Sequence, residues 1–246
     1  MDIKLYHYCS LQTAVEYILP SMKLKLGPII NTNDPRENKD LVFAASYNWD
    51  QNINNHDLNV KRFCNILRDD CKLICFSTNK ELFGWELSRM WAMYGNKHKG
   101  ICLEIDKEQF INENPFLKKD RVKFQNINYV DSIPKKFIGH PEIDYTELKQ
   151  YGETIYLRKR FRQRYFSELY LTKTKEWKSE QEFRLIYFSN SDKDEYCSIK
   201  SSLNRILLGV DFNMVYYPSI TKLSNIKIDK LKYGDGRLQC LKTYKR

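Results

Sequence analysis

Glu176-Trp177-Lys178-Ser179-Glu180-Gln181-Glu182-Phe183-Arg184-Leu185-Ile186-Tyr187-Phe188 passes from a charged run into an apolar one. From Glu182 to Phe188 the residues are aromatic, β-branched or long aliphatic, which suits a strand. Residues two apart on a strand share a face. This reading puts Glu180, Glu182 and Arg184 on one side of the strand entry. Two carboxylates so placed repel each other and are costly to bury. Either they receive a cationic or hydroxyl-bearing ligand, or they stay in water at a strand end, salt-bridged to Arg184, Lys178 or Lys173.

Other strands read outward from this one. Leu5-Tyr6-His7-Tyr8, Lys23–Leu26, Lys72–Ser77, Gly100–Asp106, Arg121–Val130 and Arg205–Val210 are strand-like, and Ile226–Leu231 and Leu238–Tyr244 would add edges. Helical spacing of apolar residues marks Leu11–Ile18 with Ser10 as cap, Leu82–Tyr94 ended by Gly95, and Glu153–Leu171. In the last of these, Tyr165, Phe166 and Leu169 are expected inside and the arginines outside. Pro20 and the Tyr216-Tyr217-Pro218 run read as breaks, Asn31–Glu37 and Gln109–Pro115 as turns or loops, and Asn48–Asn59 as a loop or helix edge. The polar stretch 131–150 reads as an inserted loop or lid. Strands and helices alternate without a βαβ rhythm. The expected architecture is therefore a single α+β domain spanning 1–246, with a central, mostly antiparallel, possibly split sheet flanked by helices.

With 246 residues, 42% of them hydrophobic and 14% aromatic, the chain can bury a core and is too apolar for disorder. No run approaches a membrane span, and Met1-Asp2-Ile3-Lys4-Leu5 has no signal-peptide pattern, so a cytoplasmic location is expected. Seven cysteines without a CxxC pair read as reduced thiols, and four scattered histidines predict no metal site. The net charge of +10 is partly clustered, in Arg158-Lys159-Arg160, Arg162, Arg164, Lys173, Lys175 and Lys178. Such a run is either a solvated helix face or a field for phosphate and nucleic acid.

Several segments together resemble the bacterial family catalogued as domain of unknown function 2971. They are Leu5–Tyr8, Asn33-Asp34-Pro35-Arg36-Glu37, Cys75-Phe76-Ser77, Met90–Gly95 with His98-Lys99-Gly100, Lys173–Arg184 and Leu207-Leu208-Gly209. That resemblance implies no activity.

A second resemblance is to ADP-ribosyltransferase-like domains, which carry a His or Arg on the first strand, a Ser or Tyr on a central one and a Glu on a later one. His7, the run Phe76-Ser77-Thr78 and the run Glu180-Gln181-Glu182 stand in that order, although Asn79 replaces the Ser that often follows. The resemblance implies NAD as substrate and transfer of ADP-ribose to a macromolecular acceptor, chemistry that suits a bacterial toxin or phage-defence effector. Glu182 would stabilise the positive charge that develops on the ribose, with Glu180 assisting and Ser77 bonding the ribose. His7 and Arg36 would serve the cofactor, and Tyr8, Tyr94 or Trp91 could stack on a base. Asp34, Glu37 and Arg184 are further candidates. No Gly-x-Gly-x-x-Gly or Gly-Lys-Ser/Thr cradle occurs, which disfavours a Rossmann or P-loop site. Two other readings compete. One is a nucleic-acid-binding module built on the basic segment 158–178. The other is a metal-dependent nuclease using Asp34, Glu37, Glu180 and Glu182.

Overall fold

A computed structural model of the chain describes residues 3–39, 44–45, 56–131, 141–191 and 193–241. Its strands are β1 (Lys4–Cys9), β2 (Lys23–Lys25), β3 (Gly27–Pro28), β4 (Ala44–Ala45), β5 (Cys71–Thr78), β6 (Ile101–Asp106), β7 (Val122–Asn126), β8 (Asn128–Val130), β9 (Glu142–Ile143), β10 (Thr172–Thr174), β11 (Glu182–Phe188), β12 (Tyr196–Ser198), β13 (Leu203–Leu208), β14 (Lys227–Gly234) and β15 (Arg237–Leu241). Eight strands run in the order β15-β14-β13-β6-β1-β5-β11-β7, and β3 pairs with β5 as a ninth. Within this sheet only β13 and β14 pair in parallel. The α+β expectation holds, and the sheet is one mixed, mostly antiparallel unit.

Both faces of the sheet are covered, so β11 is buried on its two sides and lacks a solvent-exposed face. On one face a continuous core joins Leu5, Phe76, Leu103, Leu185 and Ile206 to Ala14, Phe110 and Ile220. The other face carries two separate clusters. One gathers Leu73 and Ile186 under Phe63, Leu67, Tyr156 and Phe161. The other gathers Tyr6, Tyr8 and Leu207 under Trp85, Met90 and Trp91. The seam between them runs along β1 and β5, which pair only through Leu5–Thr78 and Tyr6–Ser77 and then part. That local parting is what remains of the expected split.

Several local readings need correction. Gln109–Pro115 is not a turn: Lys107–Glu113 is a helix, because Asp106 caps it by accepting from Gln109 N and Phe110 anchors it in the core. Tyr216-Tyr217-Pro218 starts a helix (Tyr217–Leu223) instead of breaking the chain, since proline in a first turn forfeits no hydrogen bond. Pro20 lies within the helical run 11–21, which ends at the left-handed Met22. The helix expected from Leu82 is confined to Ser88–Met93. The stretch 121–130 is two strands, β7 and β8, and β8 pairs with β10 outside the main sheet. Of the suggested lid, 132–140 lie outside the described residues, while 142–143 form β9 and Tyr145–Tyr151 a helix capped by Asp144. Of 48–59, residues 48–55 likewise lie outside them, and 56–59 open the helix His56–Arg68, as the helix-edge reading has it.

Not all the arginines of 158–164 face outward. Arg162 is buried and donates twice to Asp70, at 2.6 and 2.9 Å. No disulfide joins any of the seven cysteines.

Candidate active site

The carboxylates reach their positions through a turn, not through strand alternation. After β10 the chain makes a 3-10 helix, Lys175–Glu180, and Gln181 takes a left-handed conformation with φ 47° before β11 begins at Glu182. Contacts from the loop after β5 hold that strained residue: Gln181 Oε1 accepts from Glu81 N, its Nε2 donates to Leu82 O, and its carbonyl accepts from Thr78 N. Ser77 Oγ donates to Glu180 O at 2.8 Å. The turn carries Glu180 and Glu182 to the same ammonium. Lys173 Nζ, on β10, lies 2.9 Å from Glu180 Oε2 and 2.8 Å from Glu182 Oε2.

Behind Glu182 stands a second ionic layer. Arg184 Nε donates to Glu182 Oε1 at 2.7 Å, and Nη1 donates to Glu37 Oε1 at 2.6 Å and to Tyr170 O. All five charged side chains, Glu37, Lys173, Glu180, Glu182 and Arg184, are buried. The exposed strand end weighed from sequence is therefore ruled out, although its Arg184 pairing is present.

A cavity of about 200 Å³ opens at the seam, where β1 leaves β5. His7, Tyr8, Tyr94, Lys173, Glu180 and Glu182 line it, with Cys75 and Phe76 from β5 and Asn31–Asn33 alongside. His7 Nδ1 lies 3.2 Å from the Cys75 carbonyl, an acceptor that the parting of the strands leaves available. A carbonyl can only accept, so Nδ1 carries the proton, and in the neutral ring Nε2 keeps its lone pair. Burial pushes the His7 pKa down, and the Cys75 bond offsets this only in part.

The environment divides the two glutamates. Burial pushes the Glu180 carboxyl above its usual range; Lys173 draws it back in part, and the charge of Glu182 adds to the rise. Burial acts the same way on Glu182, but Arg184 and Lys173 outweigh it and hold that carboxyl well below the usual range. Lys173 itself stays cationic: burial works against its charge, and Glu182, Glu37 and Glu180 overcome it. One carboxylate is thus fixed as an anion and its neighbour can exchange a proton, a division of labour typical of acid-base sites. Tyr94 completes the set by donating its hydroxyl to Glu180 Oε1 at 3.0 Å.

The structure brings His7, Tyr8, Tyr94, Glu180 and Glu182 together in the cavity. Ser77 is not among the lining side chains; its hydroxyl is engaged by the Glu180 carbonyl. Arg36 is also elsewhere, donating to Thr172 O and Glu168 O. Asp34 caps the short helix Pro35–Asn38 by accepting from Arg36 N. Glu37 and Arg184 support the wall without lining the cavity. Trp91 is a core residue, fully buried, edge-on to Tyr8 and bonded to Trp85 O.

The sequence offers Lys173 only as an ion partner of the glutamates and Asn33 only as part of a turn; both line the cavity. Lys173 also belongs to the basic run, and Thr172-Lys173-Thr174 alternates in the manner of a short strand. Much of that run is engaged within the chain. Arg160 and Arg164 pair with Glu147, Arg162 with Asp70, Lys175 with Asp131 and Lys178 with Glu81. Among the described residues no group of three or more His, Cys, Asp or Glu side chains stands where it could hold a metal ion. Nor does any helix among them have the length and apolarity to cross a membrane.

Residues 90–185 match the model of a family described as protein of unknown function (DUF2971). The matched span contains Tyr94, Lys173, Glu180, Glu182 and Arg184, and leaves His7 and the segments around Asp34, Ser77 and Gly209 outside. No curated protein and no solved structure matches the chain.

Proposed function

We propose that this pocket cleaves the bond between nicotinamide and ribose in NAD and passes the ADP-ribosyl group to a macromolecular acceptor or to water. The observation that carries this reading is the meeting of His7, from β1, with Glu180 and Glu182, at the start of β11, in one cavity. The carboxylates come from the far side of β5, so only the parting of β1 from β5 lets the three converge.

Each group has a role in such a reaction. When the C1′–N bond breaks, its electron pair leaves with nicotinamide and positive charge develops on the ribose. Glu182, held as an anion, stabilises that charge and accepts a hydrogen bond from a ribose hydroxyl. The incoming acceptor forms the new bond at C1′ and gives its proton to Glu180, whose raised pKa suits a general base. His7 offers the lone pair of Nε2 to a second hydroxyl or to the carboxamide. Tyr8 and Phe76 supply aromatic wall.

Incubation with NAD should release nicotinamide, and Glu182→Gln should abolish release while the protein stays folded by circular dichroism. The absence of release, together with an unchanged thermal midpoint in NAD, overturns the reading.

A further inference from the structure

We infer that the pocket recognises the phosphate-free nicotinamide-riboside end of its ligand and contributes no phosphate contact. This rests on the function proposed above and names the part of the substrate that carries recognition.

The lining contains one cation among the described residues, Lys173, and its ammonium is already shared between Glu180 and Glu182. Arg36, the nearby arginine that could have reached a phosphate, has its guanidinium on two backbone carbonyls. Arg184 pairs with Glu182 and Glu37; its Nη2 has no hydrogen-bond partner among the described residues, but the whole side chain is buried and outside the lining. His7 turns Nδ1 to a carbonyl and, as a neutral ring, presents only an acceptor at Nε2.

The balance of charge points the same way. Asp34, Glu37, Glu180 and Glu182 cluster with Lys173, Arg184 and Arg36, four carboxylates to three cations, and the Arg36 guanidinium is engaged by backbone carbonyls. A phosphate entering here would lose its hydration and meet carboxylates. A pyridinium ring carries positive charge, and a ribose brings hydroxyl donors, which is what carboxylates can accept. Size agrees: a cavity of roughly 150 Å³ takes a benzene ring, so this one, of about 200 Å³, takes the nicotinamide ring with the ribose at its mouth and has no room for a dinucleotide. The pyrophosphate and adenosine of NAD would lie outside.

Calorimetric titration of the full chain with nicotinamide riboside, nicotinamide mononucleotide and NAD tests this, with nicotinamide release followed in parallel. The riboside should bind within about tenfold of NAD, and raising the salt should weaken NAD no more than it weakens the riboside, in contrast to phosphate-led binding. Glu182→Gln should weaken all three ligands alike. Tyr94→Phe, which keeps the buried ion cluster intact, should do so to a lesser degree. NAD that binds and is cleaved while the riboside does neither would overturn this inference and leave the proposed function standing. A riboside that binds in a Glu182-dependent way, without nicotinamide release from any ligand, would uphold the inference about the pocket and overturn the function.

Discussion

Ser77 Oγ donates to the main-chain carbonyl of Glu180 at 2.8 Å, tying the end of β5 to the turn that delivers both site carboxylates. Ser77 thus acts through Glu180 as a positioning residue. Ser77→Ala leaves a buried carbonyl without its partner, at a cost of about 1–3 kcal/mol. Urea denaturation should show that loss. Nicotinamide release should fall far less than in Glu182→Gln, because the carboxylates remain.

Glu182 should govern acid stability. Its folded pKa lies below its unfolded value, so its contribution is complete above about pH 4.3, the ordinary Glu value, and is lost as pH falls through the depressed pKa. Thermal midpoints measured from pH 7 downward should drop below about pH 4.5 in the native protein. In Glu182→Gln that part of the decline should flatten, from a lower starting midpoint.

Tyr94→Phe removes the hydroxyl that lowers the Glu180 pKa. With Glu180 as base, the acid limb of kcat/KM should move to higher pH. Activity on that limb should fall about three- to tenfold, the equivalent of one ordinary hydrogen bond. A limb that does not move would exclude Glu180 as the titrating base.

Arg162 separates structural from solvated charge within the basic run. Truncating it to Met leaves the buried Asp70 with only the longer ion pair to Arg158, at 3.6 Å, and breaking a buried pair costs up to about 3–5 kcal/mol. Arg160→Ala and Arg164→Ala, whose pairs with Glu147 are exposed on the arginine side, should each change stability by about 1 kcal/mol or less. Chemical denaturation of the three variants checks the order.

Gly209 is needed for a close approach. A Cβ there would stand 2.1 Å from His98 O, in a loop where Asn96, Lys97 and His98 all have positive φ. The carbonyl is fixed by Asp211 N, so it cannot yield freely. Gly209→Ala should lower stability by about 1–3 kcal/mol, as overpacking does, read as a shift in denaturation midpoint.

Local sequence pattern sufficed to read β1, β5, β6, β11 and β13, the α+β class and the placing of Glu180 and Glu182 together at the entry of β11. Strand propensity and alternation are local, so they are written in consecutive residues. What each side chain meets is not local. Arg184 and Glu37 are 147 residues apart in sequence, and Ser77 and Glu180 are 103 apart. The left-handed Gln181 replaced strand alternation as the reason the two glutamates converge, because contacts from residues 78–82 hold that conformation. The engagement of Ser77 and Arg36, the burial of Arg162 and the entry of Lys173 into the site were likewise decided by tertiary structure. A charged or hydroxyl side chain can be buried only where a distant partner satisfies it, and only the folded sheet brings such partners within reach.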